Sequence, residues 1–339
     1  MKNFAYVRAT SVEDAVRRSH TTQNAQFIAG GTNLVDRLKV FLDEPAQLLD
    51  ISRLNLKQIE ATRDGGMRIG ALATNTAVAD HPQIRRGYPL LSRAILSGAS
   101  QQIRNMATVG GNLLQRTRCP YYYDRAFACN KRQPGTGCAA LEGINRMHAI
   151  LGASDSLRDG KAERCVAVHP SDMCVALAAL DASVEVESSR GRRRIPFNDF
   201  HRLPGDAPQW DTNLEPGELI TAVILPPVPF AKTGVYLKLR DRASYAFALI
   251  SVAAAIDVRR ERIHDVRFAL GGVAHKPWRS LEAEAFLRGK PAITETFQQA
   301  AEIVLQGAKP LTHNRFKVDM AKRAIKRALT LAAQGGGVA

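Results

Sequence analysis

Cysteine is the residue type whose distribution in this sequence most directly indicates chemistry. Four of the five cysteines, Cys119, Cys129, Cys138 and Cys165, are separated by nine, eight and twenty-six residues. No C-x-x-C pair occurs, so the pattern of a zinc ribbon is absent. Four thiolates at irregular spacing can hold a [4Fe-4S] cluster when a loop wraps around it, and the alternative is free thiols in a loop. Cys174 lies among apolar residues and is more typical of a small core residue.

Basic side chains accompany these cysteines. Arg118, Lys131, Arg132 and Arg164 lie close to them in the sequence. Their positive charges could offset the negative charge of an iron–sulfur cluster.

Two diglycine turns are a second candidate site. They are Ala29-Gly30-Gly31-Thr32-Asn33 and Thr108-Val109-Gly110-Gly111-Asn112. Consecutive glycines let backbone N–H groups converge and let the main chain approach a ligand closely, which suits a pyrophosphate. Two ordinary tight turns are the alternative. The segment 135–140 formally matches G-x-G-x-x-A, but a polar stretch ending in Pro134 precedes it instead of a strand, so it does not predict a dinucleotide fold.

Other chemistries have weaker support. The eight histidines fall singly, with no H-E-x-x-H motif, so a catalytic metal or a Ser-His-Asp triad has no particular support. Tyr121, Tyr122 and Tyr123 lie among arginines, as in single-strand binding surfaces, but no known nucleic-acid motif accompanies them. We therefore expect no nucleic-acid binding.

The elements that must position these residues alternate between short strands and helices in the first third of the chain. Ser11 and Ser171 are predicted helix N-caps. Helices are predicted over residues 34–42, 76–80, 89–104 and 314–333, and periodicity disappears between Arg116 and about Arg164. A structureless loop of this length needs a reason such as a metal site. Prolines at 204–208 and 226–229 predict a boundary near residue 230.

Composition narrows the class of protein. The chain has 339 residues, of which 45% are hydrophobic, so it can form two or three domains with buried cores. Its net charge of +15 favours anionic partners. The longest apolar run, 246–256, is too short to span a bilayer. The N-terminus lacks an apolar signal-peptide core, so we expect no export signal of the chain's own.

The quoted motifs also resemble a known family. The residues that carry the resemblance extend over essentially the whole chain and lie at 27–34, 107–120, 169–173 and 238–248. In these segments the chain resembles the FAD-binding subunits of the xanthine dehydrogenase/aldehyde oxidoreductase family, and within it those of the bacterial periplasmic aldehyde oxidoreductases.

The resemblance implies an α+β fold. It consists of an FAD-binding fold of vanillyl-alcohol-oxidase type with two subdomains, followed by a C-terminal sheet-and-helix domain like that of CO dehydrogenase flavoproteins. The expected ranges are 1–55 and 56–228 for the two subdomains, with the cysteine-rich insertion at about 116–168, and 229–339 for the C-terminal domain.

The resemblance also implies roles for individual residues. A backbone cradle for the FAD pyrophosphate would be formed by Phe27, Ile28, Ala29, Gly30, Gly31, Thr32, Asn33 and Leu34. A second wall would consist of Gly98, Ala99, Ala107, Thr108, Gly110, Gly111 and Asn112. Asp172 would hydrogen-bond the cofactor, Ile220 would pack against it, and Lys238 would lie near the flavin ring. Cys119, Cys129, Cys138 and Cys165 would bind [4Fe-4S], with Cys165 placed after a loop longer than expected. No residue of this chain is expected to act as a catalytic acid or base.

The implied assembly is a heterotrimer. Substrate would be oxidised at a molybdenum cofactor in a large subunit, and a small subunit with [2Fe-2S] centres would pass electrons to this chain and its FAD. An external acceptor would then receive them. The chain would be exported to the periplasm with a partner that bears a twin-arginine signal, or stay in the cytoplasm.

Two other functions stay open from the residues. One is a stand-alone flavoenzyme that oxidises its own substrate, which would leave the cysteine-rich loop unexplained. The other is a zinc-stabilised scaffold or nucleic-acid-binding protein. A flavin spectrum with an iron–sulfur shoulder, flavin alone, and colourless zinc protein would separate the three.

Overall fold

The first unit of the protein is a small parallel sheet with two helices. A computed structural model describes residues 1–153 and 165–336. Its first elements are β1 (Ala5–Arg8), α1 (Val12–Thr21), β2 (Ala25–Ile28), α2 (Leu34–Lys39) and β3 (Gln47–Asp50), with the strands in the order β1-β3-β2. Ser11 caps α1 as predicted, since its side chain accepts a hydrogen bond from the Asp14 N–H at 3.0 Å. The helix predicted over 34–42 ends earlier, at Lys39, because Phe41 adopts a left-handed conformation at φ 57°.

A five-stranded antiparallel sheet forms the second unit. The elements are β4 (Ile59–Ala61), β5 (Met67–Gly70), α3 (Asn75–Asp80), α4 (Pro82–Gly87), α5 (Pro89–Ser97), α6 (Gln101–Met106), α7 (Val109–Leu113), α8 (Pro120–Tyr123), α9 (Asp172–Ala179), β6 (Ser183–Ser188), β7 (Gly191–Pro196), α10 (Phe197–Phe200) and β8 (Leu219–Leu225). The strand order is β4-β5-β8-β6-β7. The single helix predicted over 89–104 is wrong, because the chain leaves α5 at Gly98 and turns through Ala99 at φ 50° before α6 begins.

The third unit is an antiparallel sheet covered by helices. It contains β9 (Val235–Leu239), β10 (Ile250–Arg259), β11 (Arg262–Gly271), β12 (Trp278–Arg279), α11 (Leu281–Leu287), α12 (Thr294–Leu305) and α13 (Phe316–Ala333), with strand order β12-β11-β10-β9. Side chains of β10 alternate between two cores: Val252 and Ala254 pack with α11 to α13, and Ala253 packs with α9 of the second unit. The third unit is thereby fixed to the second.

The predicted α+β fold is confirmed. The residue ranges predicted for the three domains and for the cysteine-rich insertion stay predictions. The predicted Ser171 cap of α9 is present, with its Oγ accepting from the Cys174 N–H at 3.1 Å. The position of this cap matters because α9, an element of the second unit, packs against β10 and β11 of the third unit.

Candidate functional site

A cavity of about 740 Å³ lies where the diglycine turns, the break between α5 and α6, and the first residues of α9 meet. This volume is typical of a site for a small molecule or cofactor. Several of the predicted cofactor residues line it: Thr32, Asn33, Gly98, Ala99, Ala107, Gly111, Asn112, Asp172 and Lys238.

The first diglycine turn packs against the second wall through its main chain. A Cβ atom on Gly30 would lie 1.9 Å from the carbonyl oxygen of Met106, so only glycine allows this approach. Gly31 has a φ of 70°, in the left-handed region, and its carbonyl accepts from the Val35 N–H at 2.9 Å as α2 begins. The turn therefore fixes Thr32 and Asn33 at the cavity.

The two glycines of the second turn have different roles. Gly110 packs on Ala71, where an added Cβ would lie 3.3 Å from the Ala71 side chain, so it serves close packing. Gly111 faces the cavity, and an added Cβ there would meet only the Thr108 Oγ1 within 4 Å. Thr108 caps α7 by accepting from the Gly111 N–H at 3.2 Å.

Asn33 offers an unused donor at the cavity. Its Oδ1 accepts from the Arg37 Nη1 at 2.8 Å and from the Arg116 N–H at 3.0 Å, so these bonds fix the amide. Its Nδ2 is buried and has no hydrogen-bond partner within residues 1–153 and 165–336. A buried donor left without a partner is costly, so a ligand acceptor at this position would stabilise the site.

A buried ion pair closes the other side of the cavity. The Lys238 Nζ lies 2.7 Å from the Asp172 Oδ2 and donates to the Ser97 carbonyl at 3.0 Å. The Tyr236 hydroxyl donates to the other Asp172 oxygen at 2.6 Å. Burial and the adjacent Asp172 charge hold the pKa of Tyr236 well above its usual range. The third unit thus supplies part of the cavity wall.

The other predicted cofactor residues do not line the cavity. They are Phe27, Ile28, Ala29, Gly30, Gly31, Leu34, Thr108, Gly110 and Ile220. Most belong to the turns and support the lining residues from behind. Ile220 differs, because it is 3% exposed in β8, opposite Val186, and packs in the hydrophobic core of the second sheet. The expected contact of Ile220 with FAD stays a prediction, and the structure places this side chain in the core.

Sequence reasoning missed the basic and aromatic side of the cavity, which contains Arg104, Arg118, Arg240, Arg242, Tyr245 and Phe247. Four of these lie in the connection from β9 to β10, within the segment 238–248 that carries the resemblance. Tyr245 is 81% exposed and has a φ of 53°, so this connection is held in an uncommon backbone conformation. The sequence of the segment 238–248 could have indicated that these residues belong to the cofactor site.

The four cysteines of the loop lie near one another, and their binding of a cluster stays a prediction. Cys129 and Cys138 face each other in an isolated antiparallel bridge. Burial raises the pKa of Cys119 and of Cys165 to about 12, and the charges of neighbouring cysteines raise these pKa values further. Cys138 is one such neighbour for both, and Cys129 is another for Cys119. The four thiols therefore lie in one cluster, in which the free thiolates of Cys119 and Cys165 are disfavoured unless a cation is bound.

Backbone N–H groups lie near these sulfur atoms and lower the pKa of the thiols. The amides of Tyr121 and Tyr122 lower the pKa of Cys119, and the amide of Ala167 lowers that of Cys165. The pKa of Cys138 is lowered in the same way by the amides of Ala140, Leu141 and Val166, although burial leaves it raised overall. N–H···S bonds of this kind stabilise the negative charge of cluster-bound sulfur.

The predicted basic neighbours behave differently from one another. Lys131 is buried, pairs with Asp211 at 2.5 Å, and its charge lowers the pKa of Cys165. Arg132 instead donates to the carbonyls of Tyr121 and Tyr122 at 2.9 and 2.8 Å, so it holds the loop rather than facing a sulfur. Arg118 contacts the Tyr123 hydroxyl and the Phe247 ring at the cavity. Arg164 lies outside the described residues.

A second cavity, of about 420 Å³, lies between the cysteine loop and the first cavity. Cys119 and His148 are among the residues that line it. Arg118, Tyr245 and Phe247 line both cavities. The Cys119 thiol and the larger cavity therefore lie on two sides of one small set of side chains.

A histidine pair escaped the sequence reasoning. Within residues 1–153 and 165–336, one group of three metal-ligating side chains has its ligand atoms within 4.8 Å of one another: His169, Cys174 and His201. The His201 Nε2 lies 2.9 Å from the Leu113 carbonyl. Cys174 is fully buried in the core, as predicted from its apolar neighbours. The three residues are distant in sequence, so only the fold brings them together.

Comparison with known families decides the identity of the chain. Residues 2–228 match the FAD-binding domain in molybdopterin dehydrogenase, and residues 235–332 match the CO dehydrogenase flavoprotein C-terminal domain. The chain belongs to the FAD-binding subunits of the molybdenum hydroxylases. The family resemblance carried by the sequence motifs is confirmed, and with it the binding of FAD.

Individual relatives agree with this membership. This FAD subunit is 49% identical, over 331 residues, to the aldehyde oxidoreductase FAD-binding subunit PaoB of Escherichia coli (strain K12), covering 97% of this chain and 98% of the relative. It is 29% identical to the glyceraldehyde dehydrogenase medium chain of Sulfolobus acidocaldarius, covering 92% and 90% of the two chains. The structure of quinoline 2-oxidoreductase from Pseudomonas putida 86 has the same fold, with a TM-score of 0.75, 24% identity and full coverage of both chains.

The residues of the large cavity fit FAD. Its walls bring main chain close to the ligand space at Gly111, and Asn33, which lines the cavity, has a buried Nδ2 without a hydrogen-bond partner among the described residues. In the described part of this FAD subunit, no helix combines the length and apolarity needed to cross a membrane.

Proposed function

We propose that this FAD subunit works in a heterotrimeric molybdenum hydroxylase that oxidises aldehydes, and that it also carries a [4Fe-4S] cluster on Cys119, Cys129, Cys138 and Cys165. Two relatives named as aldehyde oxidoreductase and glyceraldehyde dehydrogenase subunits support the substrate class. The other subunits would be a large one with the molybdenum cofactor and a small one with [2Fe-2S] centres. The name of one relative, the glyceraldehyde dehydrogenase medium chain, supports an assembly with subunits of different size.

The residues that would hold FAD follow from the cavity. The main chain at Thr32–Asn33, with the Asn33 Nδ2, would bind the pyrophosphate, and Gly111 would let the second wall approach it closely. Asp172 and Lys238 would supply a polar, orienting contact at the far wall. Bound FAD supplies the exchange between one-electron and two-electron transfer, while the protein contributes binding, orientation and tuning.

The residues of the cysteine loop fit an iron–sulfur cluster better than a single zinc ion. Tetrahedral zinc holds its sulfur atoms about 3.8 Å apart, since Zn–S bonds are about 2.3 Å long. In residues 1–153 and 165–336 the loop cysteines do not form a group of three within 4.8 Å, whereas His169, Cys174 and His201 do. Amides directed at three of the four sulfurs also suit a cluster with delocalised negative charge.

One observation carries the relay function: the second cavity joins Cys119 to the FAD cavity through Arg118, Tyr245 and Phe247. A cluster at Cys119 would therefore lie beside the flavin with only side chains between. The chain's residues would keep both groups apart from bulk water and in fixed relative positions. Electrons from the small subunit would pass through the cluster and FAD to an external acceptor.

Co-purification with the companion chains under anaerobic conditions tests this proposal. We expect one FAD per chain and, beyond the iron of the [2Fe-2S] centres, four irons with acid-labile sulfide. Addition of aldehyde should reduce the flavin and thereby bleach its visible absorbance. Flavin without the extra iron would overturn the cluster assignment alone. Bound zinc without flavin would overturn the whole proposal in favour of a zinc-stabilised scaffold.

We also propose export to the periplasm together with a partner bearing a twin-arginine signal. Cell fractionation tests this location, with the partner's leader intact and with its two arginines replaced by lysine. When the two arginines of the partner's leader are replaced by lysine, the chain should appear in the cytoplasmic instead of the periplasmic fraction. An unchanged distribution would contradict co-export.

A further inference from the structure

His148 makes the one contact between an imidazole and a cysteine of the loop in the described part of the chain. Its Nε2 lies 3.2 Å from the Cys119 Sγ. The side chain is buried, at 3% exposure, and its Nδ1 has no hydrogen-bond partner within residues 1–153 and 165–336. A cluster-bound sulfur carries no proton, so only the tautomer protonated on Nε2 would give a hydrogen bond between these two atoms.

The C-terminal unit fixes the position of His148. The Lys317 Nζ, fully buried, donates to the His148 carbonyl at 2.8 Å and to the Gly272 carbonyl at 2.6 Å. Asn314 donates to the same His148 carbonyl at 3.1 Å. These two residues lie at the start of α13, far from the cysteine loop in sequence. The imidazole is therefore held against Cys119 by a unit that contributes no cysteine to the loop.

Cys119 is the cysteine whose environment matters most for transfer to the flavin. It lines the second cavity together with His148, and this cavity adjoins the FAD cavity. The two amides that lower the pKa of Cys119 belong to the main chain of α8, so substitution of a side chain does not remove them. His148 adds a side-chain donor at the same sulfur, which a substitution can remove.

We propose that His148 is a positioning residue that donates its Nε2–H to the Cys119 sulfur and raises the reduction potential of the cluster. The proposal rests on the [4Fe-4S] assignment made above. A hydrogen bond to a cluster sulfur stabilises the reduced form more than the oxidised one, because reduction adds negative charge to the sulfur atoms. Loss of the donor should therefore make the cluster harder to reduce.

An anaerobic redox titration of the purified complex, followed by EPR of the reduced cluster, tests this. His148→Leu should shift the midpoint potential of the cluster downward, and His148→Gln, which keeps an N–H donor, should recover part of the shift. The FAD content should stay at one per chain in both. His264→Leu is the matched control, since His264 is exposed and pairs only with Asp257 among the described residues, and its potential should equal that of the unaltered protein.

Pulsed EPR on unaltered protein containing ¹⁵N-histidine gives a second readout that needs no substitution. A weak nitrogen coupling to the reduced cluster is expected from a hydrogen-bonded ring. A strong coupling would show direct ligation of iron, and no coupling would show no contact, so either would overturn the proposal.

The two proposals fail separately. Unaltered protein without the four additional irons would sink the cluster assignment. A fully loaded cluster with equal potentials in unaltered protein and His148→Leu would sink the role of His148 alone. If His148→Leu loses its iron, the nitrogen coupling and the potential of His148→Gln decide the question.

Discussion

The FAD cavity and the cysteine loop organise their binding groups in opposite ways. The cavity is built at the ends of regular elements, where Gly31 leads into α2, Thr108 caps α7 and Asp172 begins α9. In the described part of the loop, between Arg116 and Val168, the regular structure is the four-residue helix α8 and one isolated bridge. Side chains such as Arg132 and Asn145 satisfy the loop's carbonyl groups instead.

This difference teaches where each site obtains its rigidity. The cavity walls are supported by hydrophobic cores on both sides, so they should persist without a ligand. The loop gathers four thiols, and burial disfavours the free thiolate of Cys119, Cys138 and Cys165, so its order should depend on the bound group. Four predictions test this contrast, beginning with the largest expected effect.

Removal of one loop thiol should abolish iron binding and spare the flavin. Cys138→Ser is expected to lose essentially all of the additional iron, because a cluster held by three thiolates in a loop of this kind is labile. Iron and flavin assays on the purified complex measure both groups. Cys174→Ala is the matched control, since Cys174 lies in the core outside the loop and should leave iron unchanged. Parallel loss of iron and FAD in Cys138→Ser would contradict the independence of the two sites.

Breaking the ion pair at the cavity should destabilise the fold without touching the loop. Lys238→Met leaves the Asp172 carboxylate buried with Tyr236, which should lower the free energy of unfolding by about 3–5 kcal/mol. Urea denaturation of the FAD-free protein measures this. The double variant Asp172→Asn/Lys238→Met should recover much of the loss. A cost below about 1 kcal/mol for Lys238→Met would show that the wall does not depend on the pair.

A methyl group at the first diglycine turn should lower the free energy of unfolding by less than the loss of the ion pair does. It should act by displacing the cavity wall. Gly30→Ala places a carbon against the Met106 carbonyl, so the main chain must shift, at about 1–3 kcal/mol and with weaker FAD binding. Thermal unfolding and fluorimetric FAD titration measure the two effects. Gly87→Ala is the control: it has open space around the added carbon and lies at the end of α4, so it should be neutral or slightly stabilising. Equal behaviour of the two variants would contradict the close main-chain packing.

The most gradual effect concerns pH and the support of the loop by α13. Burial, followed by the charge of Arg146, lowers the pKa of Lys317 to about 7 in the folded chain, below its ordinary value near 10.5. Between these two values the unfolded chain holds a proton that the folded chain has released, so this group makes stability rise with pH across that window, by up to about 1.4 kcal/mol per pH unit. Urea denaturation from pH 7 to 9.5 should show this rise in the unaltered protein and a flatter profile in Lys317→Met. Parallel profiles would contradict the lowered pKa.

Prediction from sequence succeeded where local chemistry is sufficient. Ser11 and Ser171 cap helices because an N-cap needs only a hydroxyl and the amide three residues later. It failed between residues 89 and 104, where Gly98 and Ala99 interrupt a helical pattern to reach the cavity. Ile220 could be assigned to a ligand by resemblance but not by environment, since its burial depends on the pairing of β8 with β6.

The sequence by itself determined the alternation of elements, the irregular cysteine segment and the two glycine turns, because these depend on neighbours a few residues apart. The tertiary structure alone decided that Gly30 packs against Met106, that Lys238 pairs with Asp172, and that His148 contacts Cys119. It also decided that Lys317, at the start of α13, holds the main chain of His148. Such contacts join positions distant in the chain, and their energies depend on burial and distance, which no local pattern encodes.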